Sequence, residues 1–240
     1  MDKYILIFSK QTEKMVKEYC KDYIQFINPN FNMPKFLIKF KMATRDVFAN
    51  VRQLEDAYIV TVDPFLCKMP FAKETLYHEF THIYDDTVMA KLGIAPSYMY
   101  HVYTEYHASQ IQMMQKLGIT CVYGELGSNT NHAIICDELL NEKADFAQRA
   151  QKLNLSKTCD FSKAIDWFCY YIGKTNTFLY YYNKYNDTLL DLYEFTNIFG
   201  SQIVQLKEAL FECNTNNITE TEIYNIAKKH LLLVKEFNPK

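Results

Sequence analysis

The stretch MPFAKETLYHEFTHIYDDTVMAKLG, residues 69–93, decides how this chain is interpreted. Its second residue, Pro70, stands where a helix can begin, because proline lacks the N–H that the first turn leaves unused. Gly93 stands where a helix can end, because glycine readily adopts the left-handed conformation that closes many helices. Apolar residues recur between these two signals at helical spacing. The stretch therefore predicts one long helix ending at Leu92.

Two histidines and a glutamate lie inside this predicted helix, in the order His78-Glu79-Phe80-Thr81-His82. Residues four apart differ by about 40° around a helix axis and about 6 Å along it, so both imidazoles project from one face. Two neutral ring nitrogens in that geometry can bind one zinc ion. Glu79 lies about 100° further round, where it is a poor ligand but can exchange a proton with a metal-bound water. The alternative is a buried helix with two incidental histidines and a solvated glutamate.

The residues at the start of the chain predict a strand and then a helix. Residues 4–8, Tyr-Ile-Leu-Ile-Phe, are a short apolar run that favours a strand. Residues 12–27 place apolar side chains at helical spacing, and Asn28-Pro29-Asn30 ends that pattern.

Two further strands are predicted before the motif. Residues 36–40 and 57–62 are rich in β-branched and aromatic side chains, and Asp63-Pro64 ends the second of them. Residues 43–54 stay ambiguous between a strand and a short helix. The first 65 residues therefore predict a small mixed sheet with one helix against it.

The residues after the motif predict helices. One is expected from Pro96-Ser97 to Leu117, where Gly118 ends it. Residues 119–131 are expected to form a surface loop because they contain Gly124, Gly127, Ser128 and four Asn or Thr residues. The last predicted helix opens with Thr219-Glu-Thr-Glu222, a capping-box pattern. Helices are predicted near 134–152, 161–184, 187–199, 201–212 and 219–236.

The expected fold class is therefore α+β, with a small mixed sheet and the motif-bearing helix followed by a mostly helical C-terminal half. We expect a core over residues 1–130 and a helical subdomain over 131–240, which can also form one continuous domain.

Composition limits the classes of protein to which this chain can belong. It has 240 residues, of which 49% are hydrophobic and 22% charged, with a net charge of −2. Such a balance argues against a protein that coats nucleic acid or an anionic membrane. The 19 tyrosines and 17 phenylalanines argue against disorder. We expect neither a nucleic-acid nor a membrane partner.

The remaining compositional signals favour a cytoplasmic protein. No run of eighteen apolar residues is present, and the apolar run at the start is too short for a signal peptide. Seven cysteines without a C-x-x-C spacing do not suggest a disulfide framework, so we expect small buried hydrophobes in a reducing compartment. They are Cys20, Cys67, Cys121, Cys136, Cys159, Cys169 and Cys213.

The order His78-Glu79-Phe80-Thr81-His82, after a predicted strand and turn, resembles the HExxH signature of the zincin metallopeptidases. The resemblance covers about residues 55–118. It implies that His78 and His82 are zinc ligands, that Glu79 is the general base, and that the strand near 57–62 is the sheet edge along which an extended substrate lies.

The third zinc ligand depends on the branch of that family. The metzincin branch would need glycine at position 85 and histidine or aspartate at 88, where this chain has Asp85 and Val88. The gluzincin branch takes a glutamate from a following helix. Eleven residues from His82 to Gly93 span about 16 Å of helix, and nine from Pro96 to Glu105 span about 14 Å. If these two helices are antiparallel neighbours, Glu105 returns to the level of the histidines.

Several alternatives stay open around this assignment. Glu105 lies about 100° from the apolar stripe of its helix, where a glutamate is ordinarily solvated. His107 is the second candidate for the third ligand. Asp85 is a further candidate, although it better suits a hydrogen-bond partner that fixes a histidine tautomer. Asp86 serves similarly or faces water.

Other residues are candidates for smaller roles. His132, after the glycine- and asparagine-rich loop, is a possible donor to the oxyanion of the transition state, as are Tyr123 and His101. His230 is expected to be a surface or core residue. Two tyrosine-rich runs, at 168–172 and 179–182, are expected to form core rather than a substrate groove.

The sequence thus predicts a zinc-dependent, gluzincin-like metallopeptidase that hydrolyses a peptide or protein substrate. It is loosely similar to phage- and mobile-element-encoded metallopeptidases of the ImmA/IrrE type, because a glutamate-bearing helix follows HExxH. The alternatives are a non-catalytic zincin-like scaffold that binds a protein partner, and a zinc hydrolase acting on a small amide or ester.

Overall fold

The computed structural model describes residues 3–43, 47–55, 57–94, 98–127, 131–182 and 187–237. Contacts divide the chain into two compact units. The first comprises Met1–Val88 and Met114–Ser128, and the second comprises Met89–Met113 and Asn129–Lys240. The fold is α+β, as predicted, with one small sheet and a helical C-terminal half.

The first unit begins with a long helix, α1 (Lys3–Ile27). The predicted strand at residues 4–8 is wrong, because these residues form the first turns of α1. A short apolar run does not distinguish a strand from a helix. The buried positions further along the helix recur every three or four residues, which is the spacing of one helix face. They are Ser9, Thr12, Val16, Cys20, Tyr23 and Phe26.

The sheet of the first unit has three strands, β1 (Phe36–Phe40), β2 (Ala49–Gln53) and β3 (Tyr58–Val62). Their order is β1-β3-β2, with β1 parallel and β2 antiparallel to β3. The predicted strands at 36–40 and 57–62 are confirmed, and the ambiguous segment contributes a strand. The prediction that the strand at 57–62 is a sheet edge is wrong, because β3 is central and β1 and β2 flank it.

A 3₁₀ turn (Leu66–Lys68) leads from the sheet to α2 (Ala72–Lys91), which carries the motif. Gly93 ends this segment as predicted, with a φ of +75° and a hydrogen bond from the Ile94 N–H to the Met89 carbonyl. Rings of α1 and α2 interleave, since Tyr23 lies 5.3 Å from Tyr77 and 5.6 Å from Phe80. The core of the first unit therefore fixes the buried face of α2.

The described residues of the second unit form helices joined by turns, with no strand among them. Most of α3 (Tyr98–Lys116) belongs to it; Pro96 and Ser97, where this helix was predicted to begin, lie outside the described residues. The other predicted helices are confirmed, except that the one at 187–199 is divided in two. They are α4 (His132–Ala150), α5 (Thr158–Tyr182), α6 (Asp187–Leu190), α7 (Tyr193–Phe199), α8 (Gln202–Glu212) and α9 (Glu220–Phe237).

Local signals define the ends of these helices. The capping box predicted at the start of α9 is confirmed, because the Glu222 carboxylate accepts from the Thr219 N–H at 2.8 Å and the Thr219 hydroxyl accepts from the Glu222 N–H at 3.3 Å. The predicted surface loop is confirmed for residues 119–127 and 131, which contain neither helix nor strand. Searched over the described residues, no helix combines the length and apolar character that a membrane crossing requires.

Candidate metal centre

The helix α2 presents its two histidines from a face that is only partly covered. Phe80 and Thr81 are fully buried, whereas His78, Glu79 and His82 are half-buried. The ring centroids of His78 and His82 lie 4.9 Å apart, with the ring planes at 80°. The spacing of four residues therefore places the two imidazoles side by side, as predicted from helix geometry.

The orientation of this face is set from the opposite side of the helix. Phe80 lies 5.6 Å from Tyr23 of α1 and 6.0 Å from Phe36 of β1, measured between ring centroids. The Tyr23 hydroxyl donates to Thr81 Oγ1 at 3.2 Å, and that oxygen donates to the Tyr77 carbonyl at 2.7 Å. The two residues inside the motif that bear no metal-binding group thus attach the helix to the core.

Glu105 of α3, in the second unit, is the third member of the candidate ligand group. His78, His82 and Glu105 each offer one ligand atom to a metal ion. Two imidazole nitrogens and one carboxylate oxygen are also the donors of known catalytic zinc sites. The chemistry of this donor set therefore fits a metal ion.

Glu105 is 7% exposed, so the alternative that it is solvated is wrong. Its neighbour one turn earlier, His101, places Nδ1 3.6 Å from Glu105 Oε1. On the other side of the same ring, Nε2 lies 2.9 Å from Asp166 Oδ1 of α5. Burial lowers the pKa of His101, but the hydrogen bond with Asp166 and the charges of Glu105 and Asp166 prevail and raise it to about 9. At neutral pH an imidazolium therefore stands between two carboxylates.

The other candidates for the third ligand, His107 and Asp85, are not members of this group. His107 is 2% exposed, with its ring 5.8 Å from that of Tyr103. Asp85 is 1% exposed, and its charge adds to burial in raising the pKa of Tyr23 and Tyr84. That Asp85 fixes a histidine tautomer stays a prediction.

Asp86 accepts a hydrogen bond from Tyr58 of β3. Burial, followed by the charge of Asp86 and this hydrogen bond, raises the pKa of Tyr58 to about 12. Asp86 therefore has a partner in the sheet, which excludes the alternative that it only faces water.

His132 and Tyr123, two of the three candidates for oxyanion donors, lie at the start of a helix and in a loop. His132 is the first residue of α4, and its ring packs 5.0 Å from Phe178 and 4.6 Å from Tyr182 of α5. Tyr123 stands in the loop with a φ of +57°. His230 is 1% exposed and stacks on Phe161, so it is a core residue. A role for His132 in catalysis stays a prediction.

Sequence reasoning missed Asp166. This residue lies inside a helix that was predicted, but nothing in its local pattern distinguishes it from any other aspartate. Its partner is 65 residues earlier in the chain. Only the fold brings the two together.

No protein-family model, no curated protein and no solved structure matches this chain.

Proposed function

We propose that His78, His82 and Glu105 bind a zinc ion and that the protein is a zincin-like metallopeptidase. The observation that carries the proposal is the placement of the His78 and His82 rings side by side on α2, with centroids 4.9 Å apart, and the buried Glu105 carboxylate is the predicted third ligand. A carboxylate at 7% exposure is costly unless cations compensate it, and a divalent ion would add to the compensation that the His101 imidazolium gives from 3.6 Å. Among divalent ions, nitrogen-rich sets with one carboxylate favour zinc.

The chemistry proposed is hydrolysis of a peptide bond. A zinc ion bound there would lower the pKa of a coordinated water and polarise a substrate carbonyl. Glu79, next to His78 on the same half-buried face of α2, accepts a proton from the attacking water and passes it to the leaving amine. The role of Glu79 is supported by its position in the motif and by its exclusion from the ligand group.

We place this activity in the cytoplasm. All seven cysteines are free thiols, and two of them, Cys20 and Cys169, are buried. Free thiols persist in a reducing compartment, whereas secreted proteins of this cysteine content usually form disulfides. The substrate is then a peptide or protein of the same compartment.

Metal analysis of the purified full-length chain tests the ligands. We expect about one zinc per chain in the wild type and its loss in His78→Ala and His82→Ala. Glu105→Ala should weaken affinity by more than the roughly 10- to 100-fold that is typical when a partner of a ligand is lost, because one of the three ligands themselves is removed. His132→Ala is the matched control, since it removes a half-buried imidazole outside the group, and it should keep its zinc. Zinc content that is unchanged in His82→Ala would contradict the site.

Turnover of a peptide library tests the reaction. Glu79→Gln should retain zinc and lose at least about 1,000-fold in kcat, because the amide keeps the shape of the side chain and cannot accept the proton. Cleavage that persists in this variant removes Glu79 from the mechanism. Stoichiometric zinc in a wild type that cleaves no peptide favours the alternative of a binding scaffold.

A further inference from the structure

A line of three ionisable side chains, Asp166, His101 and Glu105, runs from α5 to the proposed metal ligand on α3. His101 directs one ring nitrogen at each carboxylate, with Nε2 2.9 Å from Asp166 Oδ1 and Nδ1 3.6 Å from Glu105 Oε1. The first separation is a short charge-assisted hydrogen bond, and the second is an ion-pair distance beyond an ordinary hydrogen bond. The ring is therefore anchored on Asp166 and faces Glu105 from that anchor.

Asp166 lies on α5, which packs closely against α3. A Cβ at Gly173 of α5 would collide with the Tyr106 carbonyl oxygen and lie 2.9 Å from the Ser109 Cβ, both on α3. The Asn176 side chain donates to the Tyr106 hydroxyl close by. These contacts fix the distance between α3 and α5, and so fix where Asp166 meets His101.

The Glu105 end of this line is buried, whereas the side chains of Asp166 and His101 are 24% and 36% exposed. Cys169 follows Asp166 by three residues and is fully buried, and Glu105 is nearly so. Ion pairs and hydrogen bonds are stronger where water is excluded, and an unpaired carboxylate is costlier there. A glutamate has three side-chain torsions, so a neighbour that restricts them reduces the entropy lost when the carboxylate binds a metal ion.

We propose that His101, held by Asp166, is a positioning residue that fixes the Glu105 carboxylate in a ligating orientation before the metal ion binds. The inference rests on the proposed metal site, because it assigns a role to two residues that do not themselves bind the ion. Residues that orient a metal ligand in this way typically contribute about 10- to 100-fold to metal affinity.

Zinc affinity of the full chain, measured by competition with a chromophoric chelator, tests the proposal. Asp166→Asn should weaken zinc binding by about 10- to 100-fold. Asp160→Asn is the matched control, since it makes the same change at an exposed turn of the same helix, where its carboxylate accepts from the Asn154 N–H. This control should leave the affinity unchanged.

A double-mutant cycle separates positioning from general damage. In a Glu105→Gln background, Asp166→Asn should have no further effect on zinc affinity, because the residue that it positions has already lost its charge. Equal losses in both backgrounds would overturn the proposal. If Asp166→Asn does not fold, as judged by the thermal midpoint of the metal-free chain, His101→Gln takes its place in the cycle, because it removes the nitrogen that faces Glu105.

The outcomes distinguish this inference from the proposed function. A wild type that binds no zinc contradicts both. A wild type whose zinc depends on His82 but is unaffected by Asp166→Asn and His101→Gln overturns the positioning role and leaves the metal site intact. A cobalt-substituted chain gives a second readout, since its visible absorption should change in His101→Gln at saturating metal if the Glu105 ligand is displaced.

Discussion

The helices α2 and α3 each carry a polar pair four residues apart, but the two pairs are set in different ways. On α2, His78 and His82 project from a half-buried face, and the opposite face is attached to the core. On α3, His101 and Glu105 depend on a third residue, Asp166, from another helix. The placement of two side chains side by side on one helix thus follows from residue spacing, whereas the surroundings of a single carboxylate depend on partners that the fold supplies.

Phe80→Ala should lower the free energy of unfolding most, because it removes the ring that packs α2 against α1 and β1. The side chain is fully buried between Tyr23 and Phe36, and removing such a ring costs about 3–5 kcal/mol of unfolding free energy. Urea unfolding of the metal-free chain measures the loss. Tyr180→Ala, at a ring that is 60% exposed on α5, should change the unfolding free energy little. A loss below about 1 kcal/mol for Phe80→Ala would mean that this contact does not fix α2.

His230→Phe extends the comparison to a histidine that, unlike the half-buried His78 and His82, is fully buried, because it removes this imidazole from the second unit. Burial, followed by the charge of His101, lowers the pKa of His230 from 6.5 to about 4. The unfolded chain therefore binds a proton below pH 6.5 that the folded chain does not bind until about pH 4. Stability from this residue is complete above pH 6.5 and falls by up to about 3 kcal/mol as the pH approaches 4.

The phenylalanine variant cannot take up that proton. As the pH falls from 6.5 to 4, the wild type should therefore lose more unfolding free energy than the variant. Urea unfolding at each pH measures the difference. Parallel curves for the two proteins would contradict the assignment.

Gly173→Ala should change the free energy of unfolding least of the three variants, and whether it stabilises or destabilises the protein is the informative result. Replacing glycine with alanine inside a helix usually stabilises it by up to about 1 kcal/mol. Here the added methyl would meet the Tyr106 carbonyl, so we expect a loss of about 2 kcal/mol. Lys163→Ala, at an exposed position of the same helix, should be close to neutral by thermal unfolding. A stabilised Gly173→Ala would show that α3 and α5 do not approach closely at this point.

Spacing predicted much of the fold because the signals were local. Pro, Gly and the capping box defined the helix ends, and Gly93 and Gly118 have positive φ as their positions required. The apolar run at residues 4–8 was misassigned, because whether such a run joins a sheet depends on partner strands that are absent from its own sequence. The edge position expected for the strand at 57–62 came from the resemblance to zincins and not from its own residues, and its partners on both sides make it central.

The residues of the candidate site also differ in whether local sequence patterns predict them. His78, Glu79 and His82 followed from one pattern, and Glu105 followed from counting helical rise on either side of a turn. Its angular position pointed to solvent, yet the carboxylate is buried, because packing of α3 covers far more than one apolar stripe. Asp166 was unpredictable, since long-range pairing leaves no trace in local residue order.

The attachment of α2 through Phe80 and Thr81 separates two kinds of selection acting on five consecutive positions. A chain under pressure only to remain folded would conserve the phenylalanine and the threonine and let the histidines and the glutamate drift. A chain under pressure to retain a reaction would conserve all five. Deep mutational scanning of residues 78–82, scored once for abundance and once for turnover, would therefore give two different profiles from the same library.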